Sequence, residues 1–455
     1  MLERHNVPGG CASFFQRAGY RFDVGATLVS GFGVRGVHRR LFEQLEIEVA
    51  ATPVEPAMDV HLPDVDVRRF GDARWGAERR RVFGDAAEPF WQRQEQIAEL
   101  AWDFSGRFPM LPADATGVRA LAAAFRPRHL PLAALLGRTV ASIMPPGEHR
   151  RLRAFVDAQL LITAQTDAAH ADLAYGATAL DLAREGTVHL PDGVSSIAVA
   201  LARALRRAGG SIRYNTTVDE VVVERGTVRG VRCGGELVRA DRVIAAIPIA
   251  DVARLAGADA PFARRAARRP QRWSAFMAYV ALPAGVVPDD LALHHQVVLD
   301  DREPPGEGNT VFASFSGPDE IRRARGGGRA LTLSTHTDAA AWERAWRDGT
   351  EPARRLAYAA RLRTALERVL PGAWDAAAFV ELATPHTFER YTGRAHGLVG
   401  GVPQTAGRAS LGAFSHVSGI GGLVLAGDTV FPGQSTVGAS LSGVAAARAC
   451  GARIT

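Results

Sequence analysis

The sequence predicts an α/β fold. A Rossmann-like nucleotide-binding domain is assembled from discontinuous pieces, and an α+β domain carrying an antiparallel sheet is inserted between them. Three observations predict it. Residues 1–14 (MLERHNVPGGCASF) read as the end of the second strand of a dinucleotide-binding βαβ unit and the loop that follows. Residues 195–248 read as helix, short strand, hairpin and strand. Residues 276–335 read as a series of apolar strand-like runs separated by turns, the pattern of an antiparallel sheet.

In chain order, Glu3 stands where a strand-end carboxylate would hold a ribose, and the glycine loop that cradles a pyrophosphate lies about 20 residues before such an acid. The domain is therefore expected to be N-terminally incomplete and to hold its cofactor weakly. Residues 21–29 (RFDVGATLV) read as a strand leading into a glycine turn. Residues 31–36 (GFGVRG) are a literal GxGxxG ahead of the amphipathic run 38–45. That motif needs a strand before it, a helix after it and an acid at a strand end downstream. Glu55 and Asp59 lie instead in a proline-interrupted stretch, so a turn near the cofactor or substrate is the favoured reading over a phosphate loop.

Residues 94–104 and 153–165 have helical spacing. Residues 129–144 are unusually apolar, which fits either a buried helix or a lipid-facing one. Helix 195–208 is stopped by Gly209 and Gly210. Residues 240–248 are a strand ending at Pro248, residues 342–370 are mostly helix, and residues 323–329, with Gly326, Gly327 and Gly328, read as an exposed, mobile loop. The resulting boundaries put residues 1–50, 187–250 and 415–455 in the nucleotide-binding domain, and 51–186 and 251–414 in the substrate domain.

A chain of 455 residues can bury more than one core. All 54 basic residues are arginine, so no Schiff-base or phosphate-loop lysine exists. The net charge of +6 comes from scattered arginines without interleaved aromatics, which argues against a nucleic-acid binder. Cys11, Cys233 and Cys450 match no metal or redox spacing, and His294 and His295 lack a partner at zinc spacing, so no metal site is expected. No GxSxG elbow is present. The N-terminus lacks a signal-peptide core and no apolar run is long enough to span a bilayer. A cytoplasmic location is expected, with peripheral contact on the inner face of the membrane left open.

Four segments, read together, resemble the phytoene desaturase and carotenoid isomerase group of the flavin-dependent amine oxidase superfamily. They are residues 8–29 (PGGCASFFQRAGYRFDVGATLV), the Gly193 helix with residues 217–221 (TVDEV), residues 381–401 (ELATPHTFERYTGRAHGLVGG) and residues 426–448 (AGDTVFPGQSTVGASLSGVAAAR). The resemblance implies FAD as cofactor. It implies that Glu3 binds the adenosine ribose, that Gly9 and Gly10 let the backbone approach the cofactor, and that Gly25, Ala26 and Thr27 line it. Val218 and Ala246 would lie by the adenine, and Gly427 and Asp428 by the pyrophosphate and ribityl chain. The helix starting near Thr436 and Val437 would aim its amides at the isoalloxazine. The family often has a basic residue where this chain has Cys11. Tyr391, Arg394 and His386 form a polar knot that is either a structural corner or a wall of the substrate cavity.

The implied substrate is an apolar polyene, either desaturated by hydride transfer to flavin or isomerised between cis and trans with flavin assistance. The cofactor carries that chemistry, so no catalytic residue is assigned. The alternatives are an amine-oxidase-like flavin oxidase of a small substrate and a truncated, non-catalytic lipid-binding relative.

Overall fold

The computed structural model describes residues 1–25, 27–268 and 272–452. Its central element is strand Trp273–Leu282, buried along its whole length. A nearly unbroken apolar run suits a strand covered on both faces. Arg329–Asp338 and Phe379–Ala383 flank it, both antiparallel. The sheet has seven strands in the order Phe379–Ala383, Trp273–Leu282, Arg329–Asp338, Thr310–Phe315, His294–Val298, Met58–His61, Asp66–Arg69. His294–Val298 and Met58–His61 pair in parallel, so the sheet is mixed at one end.

Strand alternation divides its two faces. Phe276, Ala278, Val280 and Leu282 share a core with Trp342 of helix Ala339–Arg347 and with Tyr358, Leu362 and Leu366 of helix Glu351–Val369. Ala275, Met277, Tyr279 and Ala281 share another core with Phe22 and Phe388. This second face looks toward the hairpin of Phe14–Arg17 and Tyr20–Asp23.

The nucleotide-binding side contains parallel pairs. Residues 1–5 run beside 211–216: the Glu3 amide donates to the Arg213 carbonyl, and the Thr216 amide to the Glu3 carbonyl, each at 2.9 Å. Val243–Ala245 pairs in parallel with Leu423–Leu425. The hairpin sheet Glu220–Glu224, Thr227–Cys233, Glu236–Arg239 is antiparallel. The α/β architecture with a separate, largely antiparallel sheet is the predicted one.

Three local expectations change. Residues 21–29 do not form one strand, because Tyr20–Asp23 turns back on Phe14–Arg17 through Gly19, at φ +85°. The loop over 323–329 is anchored at both ends. Arg323 pairs with Asp23 at 2.9 Å and Arg329 donates to the Ser316 carbonyl at 2.5 Å; both arginines are buried. A buried guanidinium needs such partners, and they pin the chain.

The apolar stretch over 129–144 is not a buried helix. Around helix Ala115–Ala124 and the short Leu130–Ala133, Val118, Phe125, Leu130 and Leu136 are exposed by 52%, 38%, 60% and 50%. No helix among the described residues is long and apolar enough to cross a membrane.

Candidate functional site

The site begins at the turn over residues 8–12. Gly9 has φ +118°, and a Cβ there would lie 2.8 Å from the Ala12 carbonyl oxygen, so this position requires glycine. The Ala12 amide closes the turn on the Gly9 carbonyl at 2.9 Å. Gly10, at φ +55°, would place a Cβ with nothing within 4 Å, so the turn presents bare backbone on that side. Gly25 backs the turn, its Cβ position 3.2 Å from the Cys11 carbonyl oxygen and 3.8 Å from the Phe388 ring.

Cys11 is the meeting point of three segments distant in sequence. Burial pushes its thiol above the ordinary value; the Arg394 charge opposes that shift and the Asp428 charge adds to it. Arg394 Nη2 donates to Asp428 Oδ2 at 2.7 Å, and its Nε donates to the Leu398 carbonyl at 2.7 Å. Arg4 donates to the Arg390 carbonyl at 3.3 Å. The segments over 8–29, 381–401 and 426–438 therefore converge. Cys11 itself carries no cation, and the positive charge it feels is that of Arg394, from the far end of the chain.

Gly427, at φ +106°, donates its amide to Ser442 Oγ at 3.0 Å. A Cβ there would first meet the Ala246 carbonyl carbon, at 3.7 Å, so these two residues face each other across the parallel pair. Thr436 and Val437 lie in the first turn of helix Ser435–Ala449. Its first residue, Ser435, holds φ +80°, a strained backbone for a non-glycine residue and of the kind that clusters at functional sites. Glu3 sits on the strand paired with 211–216, where its Oε1 accepts the His5 amide at 2.9 Å. Val218 follows on that second strand and packs on the hairpin-sheet core. Ala26 lies outside the described residues.

Among the described residues, the buried Oγ atoms of Ser13 and Thr27 and Nδ1 of His5 have no hydrogen-bond partner. Buried polar atoms are normally satisfied, so the Ser13 hydroxyl at the end of this bare-backbone turn fits a polar group that belongs there. An extended nucleotide cofactor with many hydroxyl and phosphate oxygens meets that description.

The GxGxxG at 31–36 is not a phosphate loop. The Gly31 and Gly33 amides donate to the Glu185 carbonyl at 3.2 and 3.0 Å, and the Phe32 amide to the Gly186 carbonyl at 3.4 Å. Amides spent on carbonyls cannot cradle an anion. The loop instead buttresses the helix start: a Cβ on Gly31 would be 3.0 Å from Val437 Cγ2. His38 accompanies it, its Nδ1 2.7 Å from the Ser30 carbonyl, and burial lowers its basicity.

The knot of Tyr391, Arg394 and His386 separates. Arg394 turns inward to Asp428, whereas His386 lies 3.7 Å from Glu343 and against Trp346, and Tyr391 is 54% exposed. Sequence reasoning missed the pairing of Arg394 with Asp428, because nothing local links residues so far apart. The signal that existed was the missing basic residue at Cys11.

A family model described as flavin containing amine oxidoreductase matches residues 1–451. The chain belongs to that family. It is a flavin-dependent oxidoreductase, and the site has FAD to hold. Prolycopene isomerase of Arabidopsis thaliana is 26% identical over 493 residues, covering 100% of this chain and 78% of that protein. A neurosporene-forming phytoene desaturase of Cereibacter sphaeroides is 27% identical over 267 residues, covering 54% and 47%. Among solved structures, putrescine oxidase bound to putrescine aligns with a TM-score of 0.62 at 14% identity, covering 99% of this chain and 93% of that one. Cyclohexylamine oxidase of Brevibacterium oxydans aligns at 0.60 and 15% identity, covering 98% and 92%. At such identities these two neighbours establish the fold alone.

Proposed function

We propose that this oxidoreductase acts on an apolar polyene of the carotenoid type, by desaturation or by cis-trans isomerisation. The observation that carries the reading is the wall beside the junction. Phe15, Phe22, Met277, Tyr279, Phe379 and Phe388 form one apolar cluster, and Phe388 reaches the Gly25 end of the turn. Tyr279 donates its hydroxyl to the Val24 carbonyl at 2.5 Å, which leaves its ring facing the cluster. Burial raises its pKa, so the group stays neutral. Such a wall excludes water, and the ionisable groups at its edge, Arg17 and Glu381, are paired with each other. When bound, FAD supplies the two-electron chemistry, which suits a substrate with no ionisable handle.

In this reading Gly9, Gly10, Gly25, Thr27, Gly427 and Asp428 hold the cofactor's polar chain, with Ala26 beside them. Glu3, Val218 and Ala246 lie on the nucleotide side, and Thr436 and Val437 at the ring. Arg394 holds Asp428 in place. The relatives named for prolycopene and phytoene support the choice of substrate class.

A polyene must come from a bilayer, and the exposed face over 115–138 suits peripheral docking from the cytoplasmic side. From Ala115 to Gly147 the chain carries four arginines and no acidic residue. Exposed Phe125, Leu130 and Leu136 amid those arginines match an anionic lipid surface. The test has two arms. Flavin-loaded protein is incubated with prolycopene or phytoene in liposomes, and products are separated by chromatography and mass. A product of unchanged mass and altered spectrum means isomerisation, and loss of hydrogen means desaturation. Turnover of benzylamine or putrescine with neither polyene altered would reject the reading. In the second arm, Leu130→Ser with Leu136→Ser is expected to abolish vesicle co-sedimentation without changing flavin content.

A further inference from the structure

Away from the flavin junction, arginines from two segments converge on an open cleft of about 610 Å³. Arg264 and Arg265 stand on helix Ala263–Ala267 and Arg268 caps it. Arg408 faces them from the loop that leads into the turn Ser410–Gly412. Arg265 is fixed: its Nη2 donates to the Gly412 and Ala413 carbonyls, each at 2.9 Å, and its guanidinium lies 4.3 Å from the Phe414 ring centre. That leaves Arg264, Arg268 and Arg408 to supply donors to the cleft. Among the described residues, no carboxylate lines it.

Like charges gathered around one cleft repel each other unless an anion sits between them. The planar, forked guanidinium donors match the oxygens of a phosphate. The loop bearing Arg408 continues to His416, whose Nε2 lies 3.2 Å from Asp114 Oδ2. Asp114 caps helix Ala115–Ala124, the first element of the exposed apolar face. Leu411, on the rim of the same loop, is 64% exposed.

We propose that this cleft is a phosphate-binding site separate from the flavin site, taking the phosphate of a lipid headgroup or of a soluble phosphate compound. Arg264, Arg268 and Arg408 are its ligands, and Arg265 is the strut that fixes the cleft wall. None of them belongs to the residues assigned to FAD. The proposal stands on the cleft itself rather than on membrane docking, since a soluble phosphate would occupy the same donors.

The test compares the parent chain with Arg264→Gln/Arg268→Gln/Arg408→Gln. A control, Arg203→Gln/Arg225→Gln/Arg239→Gln, removes the same charge from exposed positions elsewhere. All three proteins are loaded with FAD and checked for equal flavin content and equal melting temperature. Pyrophosphate binding is read at low ionic strength by calorimetry. Membrane binding is read by co-sedimentation with phosphatidylcholine vesicles, with and without phosphatidylglycerol. The cleft variant is expected to bind at least tenfold more weakly than the control in one arm. A loss in the pyrophosphate arm assigns a soluble phosphate, and a loss confined to phosphatidylglycerol vesicles assigns a lipid headgroup. A cleft variant that matches the control in both arms overturns the proposal, as does a parent chain that responds in neither. Failure of peripheral docking alone would silence the vesicle arm and leave the pyrophosphate arm to decide.

Discussion

Two glycine-rich loops near the N-terminus, over residues 8–12 and 31–36, differ in what their backbones face. The first holds Gly9 and Gly10 at positive φ and leaves open space beside Gly10. The second spends the Gly31, Phe32 and Gly33 amides on carbonyls of residues 185–186. Glycine content is the same local signal in both. What separates them is what their distant partners present. The first loop, through its Cys11, meets the charged pair of Arg394 and Asp428 from the far end of the chain. The second is closed by backbone carbonyls of residues 185–186 and serves as a buttress.

The comparison breaks most visibly at Arg394. Its pair with Asp428 is largely buried, with side chains 14% and 23% exposed. Removing one partner strands the other charge, so Arg394→Ala is expected to cost about 3 kcal/mol and to release flavin. Urea unfolding and flavin absorbance read the two effects. Arg394→Met with Asp428→Leu together should cost less stability than the sum of the single changes, and simple additivity would refute the pairing.

Gly36→Ala tests the buttress. Its Cβ would fall 2.1 Å from the Gly31 carbonyl oxygen, so a loss of about 2 kcal/mol is expected by thermal unfolding. The affinity for FAD should fall far less than in Arg394→Ala.

A pH dependence sharpens the same contrast. Asp181 begins the segment that clamps the second loop; it pairs with Arg184 at 3.1 Å, yet burial lifts its pKa from 3.8 to about 6. The folded state thus holds this proton more tightly than the unfolded chain. The stability it contributes is complete below 3.8 and is lost as pH rises through about 6. Asp181→Asn should flatten the stability curve over that window by about 3 kcal/mol. An unchanged slope would remove Asp181 from the account. The smallest effect belongs to Gly10→Ala, which meets no atom within 4 Å and should cost about 1 kcal/mol for its left-handed backbone.

Much of the fold was legible because it is written in local pattern. The apolar runs at 276–282, 311–315 and 331–335 announced strands of one antiparallel sheet. The glycine–aspartate step into helix Ser435–Ala449 was equally readable. Composition failed where burial depends on distant partners. The run around Leu130 and Leu136 is as apolar as a core helix, yet it buries Leu135 and Val140 and leaves Leu130 and Leu136 outside. Arg323 is as polar as any loop residue and is buried, because Asp23 waits for it across the domain. Arg394 and Asp428 belong to the same class: each was named from its own motif, and neither motif revealed the other.

The central claim is that the flavin site is built where residues 8–29, 381–401 and 426–438 meet, and not on the GxGxxG. The most direct measurement is an FAD titration, read by flavin absorbance after desalting, of the parent chain, Arg394→Met and Phe32→Ala, each shown to be folded by circular dichroism. The account predicts that Arg394→Met weakens FAD binding at least tenfold while Phe32→Ala stays near the parent. Equal binding by Arg394→Met, with loss confined to Phe32→Ala, would place the cofactor on the wrong loop and contradict it.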